Sequence, residues 1–95
     1  MIQPAVYIVT NKRNGTLYTG VTSCLPKRIY EHKEEIREGF TKKYNCKSLV
    51  FFEIHETMQS AIVREKQIKK GSRRKTIALI DVINPAWRDL YAQIV

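Results

Sequence analysis

The chain has little cysteine, glycine or proline, and it has no long apolar stretch. Its 95 residues include two cysteines, four glycines and three prolines. Two cysteines are too few for a disulfide scaffold and favour a reducing compartment, so we expect a cytoplasmic protein. No segment approaches the ~20 apolar residues that a membrane span requires. We also expect no secretion signal, because Met1-Ile2-Gln3-Pro4 lacks a charged segment followed by an apolar run.

The two cysteines and the two histidines suffice in number for a four-ligand zinc site. Cys24, His32, Cys46 and His55 are the residues concerned. Their spacing matches no compact zinc motif, because such motifs place ligands in closely spaced pairs. We therefore interpret the cysteines as isolated thiols.

Acidic residues are also in short supply, since 17 lysines and arginines stand against 9 aspartates and glutamates, a formal net charge of +8. This excess favours a polyanionic partner, most simply a nucleic acid. The alternative is a basic balance that serves solubility alone. A hydrophobic fraction of 43% suffices for a globular core. The length allows at most one domain, residues 1–95, so any recognition and catalysis share one core.

Three segments are predicted to form strands. Ala5–Thr10 and Leu17–Thr22 are rich in β-branched and aromatic residues, and Asn14-Gly15 lies between them. Asn-Gly between two such runs is a strong hairpin signal. Residues 48–55 predict a third strand, placed at the centre of the sheet because its middle is apolar throughout.

Capping residues and the spacing of apolar residues predict three helices. The first is predicted over residues 26–38, from Pro26 to a stop at Gly39. The second begins after a Thr57 cap, reaches about residue 70 and stops at Gly71. The third covers residues 76–83, and a last turn is expected over 87–91. The predicted fold is a small α+β domain of order ββαβαα, with a three-stranded antiparallel sheet flanked by helices.

One face of the hairpin carries two tyrosines. If the turn contains two residues, Tyr7 and Tyr18 share a face with Gly20 between them. Glycine inside a strand costs stability and often marks the close approach of a ligand or another backbone. The alternative is that both tyrosines are ordinary half-buried strand aromatics.

A histidine lies on the apolar stripe of the first predicted helix. Leu25, Ile29 and Ile36 define that stripe, and His32 falls on it. Arg28 lies one turn earlier and is therefore a surface neighbour of His32. The pair suits binding of a phosphate, because arginine offers a planar fork of donors and histidine can transfer a proton. A lone histidine here would more simply be a satisfied boundary residue.

The second predicted helix carries an acid on its inward stripe. Met58, Ala61, Ile62 and Ile68 define the stripe, and Glu65 lies on it. An inward carboxylate is costly unless it is paired or binds a metal. The alternatives are therefore a salt bridge and a metal ligand. A basic run surrounds this glutamate and can follow a phosphate backbone, although such a run is often only a solvated face: Arg64, Lys66, Lys69, Lys70, Arg73, Arg74 and Lys75.

Together these motifs resemble the signature of the GIY-YIG (URI-domain) endonucleases, most of all their small, stand-alone bacterial members. The resemblance covers nearly the whole chain, and its specificity comes from five elements in the right order. Ala5, Val6 and Thr19 depart from the tripeptides, and none of them carries chemistry. The matching elements are Val6-Tyr7-Ile8, Tyr18-Thr19-Gly20 after a spacer of nine residues, Arg28 with His32, Glu65, and Asn84-Pro85-Ala86-Trp87.

The resemblance implies a metal-dependent DNA endonuclease that hydrolyses a phosphodiester. It implies roles for Tyr7 as the base that activates water, with Tyr18 assisting, and for Arg28 as a phosphate clamp. His32 would bind phosphate or help move a proton, and Asn84 would support the site. Glu65 would hold Mg²⁺ or Mn²⁺. Because Glu65 is the one acid that stands out as inward-facing, a single ion per site fits better than two.

The substrate implied is DNA, whether single-stranded, branched or duplex, and nothing in the sequence would reject RNA. No membrane partner is expected, and the sequence does not set the oligomeric state. Sequence-independent affinity would come from the basic run together with Lys27, Lys33, Lys42 and Lys43.

Two other functions compete with the nuclease. One is a module of the same fold that binds nucleic acid without cutting it. The other is a protein–protein adaptor for DNA repair, with Trp87 and Tyr91 as a docking patch. We favour the simpler interpretation that these two aromatic residues pack the terminal turn onto the core.

Overall fold

The computed structural model describes residues 3–36 and 39–95. Three strands and five helices follow one another in this part of the chain, two of the helices being single turns. Their bounds are β1 Ala5–Thr10, β2 Leu17–Thr22, α1 Leu25–Lys33, α2 Phe40–Lys43, β3 Ser48–Ile54, α3 Met58–Lys70, α4 Arg73–Ile83 and α5 Tyr91–Ile94. The predicted order ββαβαα is therefore confirmed for the larger elements, with α2 and α5 added.

The three strands form one antiparallel sheet of order β2-β1-β3, so the α+β prediction is confirmed. The predicted central position of the third strand is wrong, because β3 lies at an edge and β1 at the centre. Every residue of β1 is buried, whereas β3 ends in the half-buried Glu53 and the exposed Ile54. A strand covered on both faces takes the centre.

The hairpin has the predicted strands but a longer connection. Thr10 pairs with Leu17, so residues 11–16 join the strands. The backbone N–H of Gly15 donates to the carbonyl of Lys12 at 2.9 Å, and Asn14 has φ 55°. The turn is therefore centred one residue before Asn14-Gly15. The Thr10 hydroxyl lies 2.8 Å from the carbonyl oxygens of Lys12 and Thr16 and can donate to either, and such side-chain bonds hold a longer loop in place.

Helices cover both faces of the sheet. Tyr7 and Val9 pack with Leu25 and Ile29 of α1 on one face. The alternate residues of β1 pack against α3 and α4 on the other, where Val50 and Phe51 both lie. Two successive residues share a face because a bulge interrupts the pairing of β1 with β3.

The first helix is shorter than predicted. It ends at Lys33, so Ile36 lies outside it and is 59% exposed rather than part of an apolar stripe. The backbone N–H groups of Glu35 and Ile36 donate to the carbonyls of His32 and Glu31, and Glu35 has φ 54°. This is a Schellman ending with glutamate where glycine is usual. Gly39 instead precedes α2, and residues 37–38 of the predicted helix lie outside the described residues.

The second predicted helix is confirmed as α3, and the Thr57 hydroxyl accepts from the backbone N–H of Ser60. The third is α4, which starts three residues earlier than predicted because Ser72 caps it. The last helical turn is α5, which begins at Tyr91, where the predicted turn was expected to end.

Cys24 and Cys46 are both free thiols, as interpreted from the sequence. Burial raises the pKa of the Cys46 thiol, which keeps it protonated and unreactive. Within residues 3–36 and 39–95, every helix is too short and too polar to span a membrane.

Candidate active site

The hydroxyl of Tyr7 is the point on which two of the predicted site residues, Arg28 and His32, converge. Tyr7 lies on central strand β1 and is fully buried. His32 Nε2 is 2.9 Å from the phenolic oxygen, and Arg28 Nε donates to the same oxygen at 3.1 Å. The alternative of an ordinary strand aromatic therefore does not describe Tyr7, since its hydroxyl links β1 to α1 through two side chains.

Gly20 makes room for this phenol. It pairs with Tyr7 across the hairpin, and a Cβ at Gly20 would lie 2.5 Å from both Cζ and the hydroxyl oxygen of Tyr7. Real Cβ contacts do not come so close. The group that approaches the glycine is thus the ring of Tyr7 rather than a ligand or another backbone.

Arg28 and His32 lie one turn apart on α1 and both face the sheet. His32 is buried, and its Nδ1 lies 3.0 Å from Oγ1 of Thr41 on α2. Arg28 Nη1 donates to Glu31 Oε1 at 3.4 Å. Sequence reasoning missed Thr41, because a single threonine in a basic, four-residue helix carries no recognisable signal.

The chemistry of the donors fixes the direction of one of these hydrogen bonds, and the tautomer of His32 sets the other two. Arg28 Nε–H can only donate, so the Tyr7 oxygen accepts from it. In one tautomer of His32, Nε2 accepts the phenolic proton and Nδ1–H is donated to Thr41. In the opposite arrangement His32 Nε2–H donates to Tyr7 and releases the phenolic proton for another acceptor. A proton can therefore pass between Tyr7 and His32 without movement of heavier atoms.

Burial raises the pKa of Tyr7 above the ordinary value for tyrosine, and the charges of Tyr18 and Glu65 act in the same direction. The hydrogen bond and charge of Arg28 lower this pKa, but burial outweighs them. In this chain the phenol carries its proton at neutral pH.

Arg28 keeps its positive charge beside the phenol. Burial by itself lowers the pKa of the guanidinium, but the hydrogen bonds and charges of Tyr7, Tyr18 and Glu31 raise it, with a net rise above the ordinary value. The side chain is 23% exposed, so the guanidinium also reaches the surface of the site.

Tyr18 lies beside the cluster on β2. Its ring centroid is 6.4 Å from that of Tyr7, 5.9 Å from that of His32 and 5.9 Å from that of Phe40. A cavity of about 320 Å³ opens at this point. Its walls include Tyr18, Arg28, Glu31, His32, Phe40 and Thr41.

Glu65 approaches the tyrosines from α3. Its side chain is 15% exposed and pairs with Lys69 Nζ at 3.1 Å, so both the inward position and the salt bridge considered from the sequence are present. Lys69 Nζ also lies 6.0 Å from the centre of the Tyr18 ring. The predicted inward stripe of α3 is wrong at Ile62, which is exposed, and right at Ala61.

The donor set around Glu65 suits a hard divalent cation that keeps most of its water. Mg²⁺ is usually held by one or two carboxylates together with waters and substrate phosphate oxygens. Glu65 supplies one carboxylate within electrostatic range of Tyr7. In the described part of the chain no three His, Cys, Asp or Glu side chains cluster. The described residues therefore offer a divalent ion the single carboxylate of Glu65, and an ion held by it would keep most of its water.

Asn84 is buried away from the Tyr7 hydroxyl and joins three parts of the chain. Its Nδ2 donates to the carbonyls of Val50 and Arg88 at 3.1 and 2.8 Å, and its Oδ1 accepts from the backbone N–H of Arg88 at 3.0 Å. These bonds hold the end of α4 against β3. Trp87 is buried in the core of the same region, in accord with the packing interpretation.

Some of the predicted DNA-binding cations make contacts within the protein. Arg64 Nε donates to Glu53 Oε1 at 3.2 Å. Arg73 Nη2 donates to the carbonyls of Asn14 and Gly15 at 2.7 and 2.6 Å, which ties the hairpin loop to α4.

Lys33 faces the C-terminal segment rather than the cavity. Its ammonium group donates to the carbonyl of Lys47 and to the carboxylate of Asp89, and it lies 5.0 Å from the centre of the Tyr91 ring. By contrast, Lys27 lines a cavity together with Arg28. The exposed members of the predicted set are Lys27, Lys43, Lys66, Lys69, Lys70, Arg73, Arg74 and Lys75.

Comparison with known proteins identifies the family. Residues 3–78 match the family model described as the GIY-YIG catalytic domain. A UPF0213 protein of Staphylococcus saprophyticus is 39% identical over 75 residues, which are 79% of this chain and 90% of the relative. A UPF0213 protein of Staphylococcus aureus is 36% identical over the same shares.

A solved structure shows the same fold. The solution NMR structure of a UPF0213 protein from Bacillus halodurans is 27% identical, covers 85% of each chain and superposes with a TM-score of 0.54. The names of these relatives state no activity. With the Tyr7 cluster and a catalytic-domain match over most of its length, the chain belongs to the GIY-YIG family of nucleases.

Proposed function

We propose that the protein is a metal-dependent DNA endonuclease that hydrolyses a phosphodiester with a water molecule activated by tyrosine. The observation that supports this most directly is the convergence of Arg28 and His32 on the buried hydroxyl of Tyr7, with Glu65 within electrostatic range. A module that only binds nucleic acid has no need of a phenol held between a cation and a proton acceptor.

Tyr7 and His32 act as one base. Because the pKa of Tyr7 is raised, the phenol alone is a poor base at neutral pH. Its proton passes to Nε2 of His32 as the phenolic oxygen takes a proton from water. The water oxygen bonds to phosphorus and the bond to the 3′ oxygen breaks. His32 becomes an imidazolium and Tyr7 ends as a neutral phenol, while Arg28 offsets the negative charge that develops on the phenolic oxygen during the transfer. The departing 3′ oxygen takes up a proton from solvent water, and His32 later releases its extra proton to solvent.

Arg28 also binds the scissile phosphate. Its guanidinium has several donors in one plane, so it can contact a phosphate oxygen while Nε holds Tyr7. Fixed donors of this type commonly contribute about 3–4 kcal/mol of transition-state stabilisation.

Glu65 would hold one Mg²⁺ or Mn²⁺ ion. When bound, the ion supplies positive charge that polarises the phosphate and stabilises the departing 3′ oxygen. Lys69 pairs with Glu65 at 3.1 Å and so helps to position the carboxylate that would hold the ion.

The substrate is DNA, which the protein binds through the phosphate backbone. The exposed cations of α3 and α4 contact phosphates and carry no sequence information. One site with one ion cuts one strand, so the product is a nick.

The experiment that tests this function is cleavage of labelled single-stranded, duplex and forked DNA with Mg²⁺, Mn²⁺ or EDTA. We expect metal-dependent cleavage by the wild type, and no cleavage by Glu65→Gln with DNA binding retained. Glu56→Gln is the matched control, because Glu56 is an exposed acid outside the site. If no substrate is cut under any condition while binding persists, the endonuclease is rejected and the binding module replaces it.

A further inference from the structure

Two cavities of opposite chemistry share one wall. The cavity of about 320 Å³ contains the polar groups of Arg28 and His32. A second cavity, of about 440 Å³, has a wall whose surface is mainly apolar and includes Leu17, Phe40 and Ile68. Tyr18 and Phe40 line both, so their side chains separate the two.

The apolar cavity combines aromatic faces with cations. Phe40 is 45% exposed, and its ring lies 4.6 Å from that of Tyr44, which is 41% exposed. Lys69 and Arg73 lie among the residues that line the cavity. Exposed aromatic rings beside cations are the arrangement with which proteins bind the bases of single-stranded nucleic acids.

We propose that this second cavity binds an unpaired nucleobase of the strand being cut. A nucleotide joins a charged phosphate to a flat, largely apolar base across one sugar. With the phosphate at Arg28, as the proposed function requires, the base next to it reaches across the Tyr18–Phe40 wall. There it stacks on Phe40, with Lys69 and Arg73 close to the backbone.

This base site selects strands whose bases are accessible. In a regular duplex each base is stacked and paired, and it must leave the stack before it can enter a protein cavity. An unpaired strand avoids that cost. The preferred substrate is therefore single-stranded DNA or an unpaired region beside a duplex.

Binding measured in EDTA tests the base site without any cleavage. The probes are a fluorescent oligothymidine, an abasic strand of equal length and charge, and a duplex. We expect the wild type to bind oligothymidine about tenfold or more tightly than the abasic strand. Phe40→Ala brings this ratio close to one, whereas Phe40→Trp, which keeps an aromatic face, preserves it. Tyr30→Ala removes an exposed aromatic on α1 and leaves the ratio unchanged.

Circular dichroism confirms that each variant is folded. Equal wild-type affinity for the oligothymidine and abasic strands overturns the base site, as does a ratio that Phe40→Ala leaves intact. Neither result bears on cleavage. Conversely, a preserved base preference in a protein that cuts no DNA rejects the endonuclease and leaves the base site standing.

Discussion

The hydroxyl of Tyr7 has a structural role in the core and a chemical role in the candidate site. It is buried on the central strand, yet it bonds to two polar side chains of α1. Its raised pKa favours the neutral phenol in the folded protein. The stability linked to this group is therefore complete below the pKa of an unfolded tyrosine, ~10, and is lost as pH rises through the higher folded value.

We predict that Tyr7 is among the last of the five tyrosines to ionise. In a spectrophotometric titration of tyrosinate absorbance, Tyr7→Phe should remove a step that lies above the ordinary tyrosine range. The variant should also lose less stability than the wild type between neutral pH and pH values above ~10. If Tyr7→Phe instead removes a titration step within the ordinary tyrosine range, the raised pKa of Tyr7 is contradicted.

Glycine is required at position 20 because the ring of its cross-strand partner, Tyr7, occupies the space that a Cβ would fill. We predict that Gly20→Ala destabilises the fold by about 1–3 kcal/mol, because its Cβ overlaps the Tyr7 ring in a packed core. Thermal denaturation measures this loss. The double variant Gly20→Ala/Tyr7→Ala, compared with Tyr7→Ala alone, should show no such penalty. A penalty of equal size in both backgrounds would show that the alanine acts through strand propensity instead.

Among the helices and strands, the four-residue helix α2 has the greatest influence on the candidate site for its length. Thr41 contacts the buried His32, and Phe40 forms the wall between the two cavities. The early end of α1 allows this, because the Schellman turn redirects the chain after Lys33. Had α1 continued to residue 38 as predicted, α2 would start too far along the chain to return to His32.

Thr41→Val tests the support that α2 gives to the site. The change keeps the side-chain shape but removes the hydroxyl that contacts His32 Nδ1. One hydrogen bond contributes ~0.5–1.5 kcal/mol, so we expect DNA cleavage to slow by about 2- to 12-fold. Thr41→Ser should restore most of the rate. Equal rates for all three proteins would mean that His32 needs no such anchor.

At the scale of the whole molecule, only some of the cations that make up the charge excess are available to contact DNA. The ammonium group of Lys33 is bound by Asp89 and the carbonyl of Lys47, whereas Lys70 is exposed at the end of α3. Only cations that meet phosphates release counterions from DNA. Lys33, which the sequence assigned to DNA binding, is thus placed to stabilise the C-terminal segment.

Salt dependence of DNA binding separates these roles. We predict that Lys70→Gln lowers the slope of log affinity against log salt concentration by about 0.7–0.9, the value for one phosphate contact. Lys33→Gln should leave the slope unchanged and lower the melting temperature instead. A reduced slope for Lys33→Gln would restore it to the DNA-binding set.

The sequence by itself determined the strands, the α3 helix and the candidate residues, because alternating apolar residues, caps and spaced motifs are local patterns. It also indicated that Tyr7 and Tyr18 share a face, since side chains alternate along a strand. Only the tertiary structure decided the rest. The central place of β1, the exposure of Ile36 and the contact of Thr41 with His32 all depend on residues distant in the chain. The pKa of Tyr7 is likewise raised mainly by burial, which exists only once the helices cover the sheet.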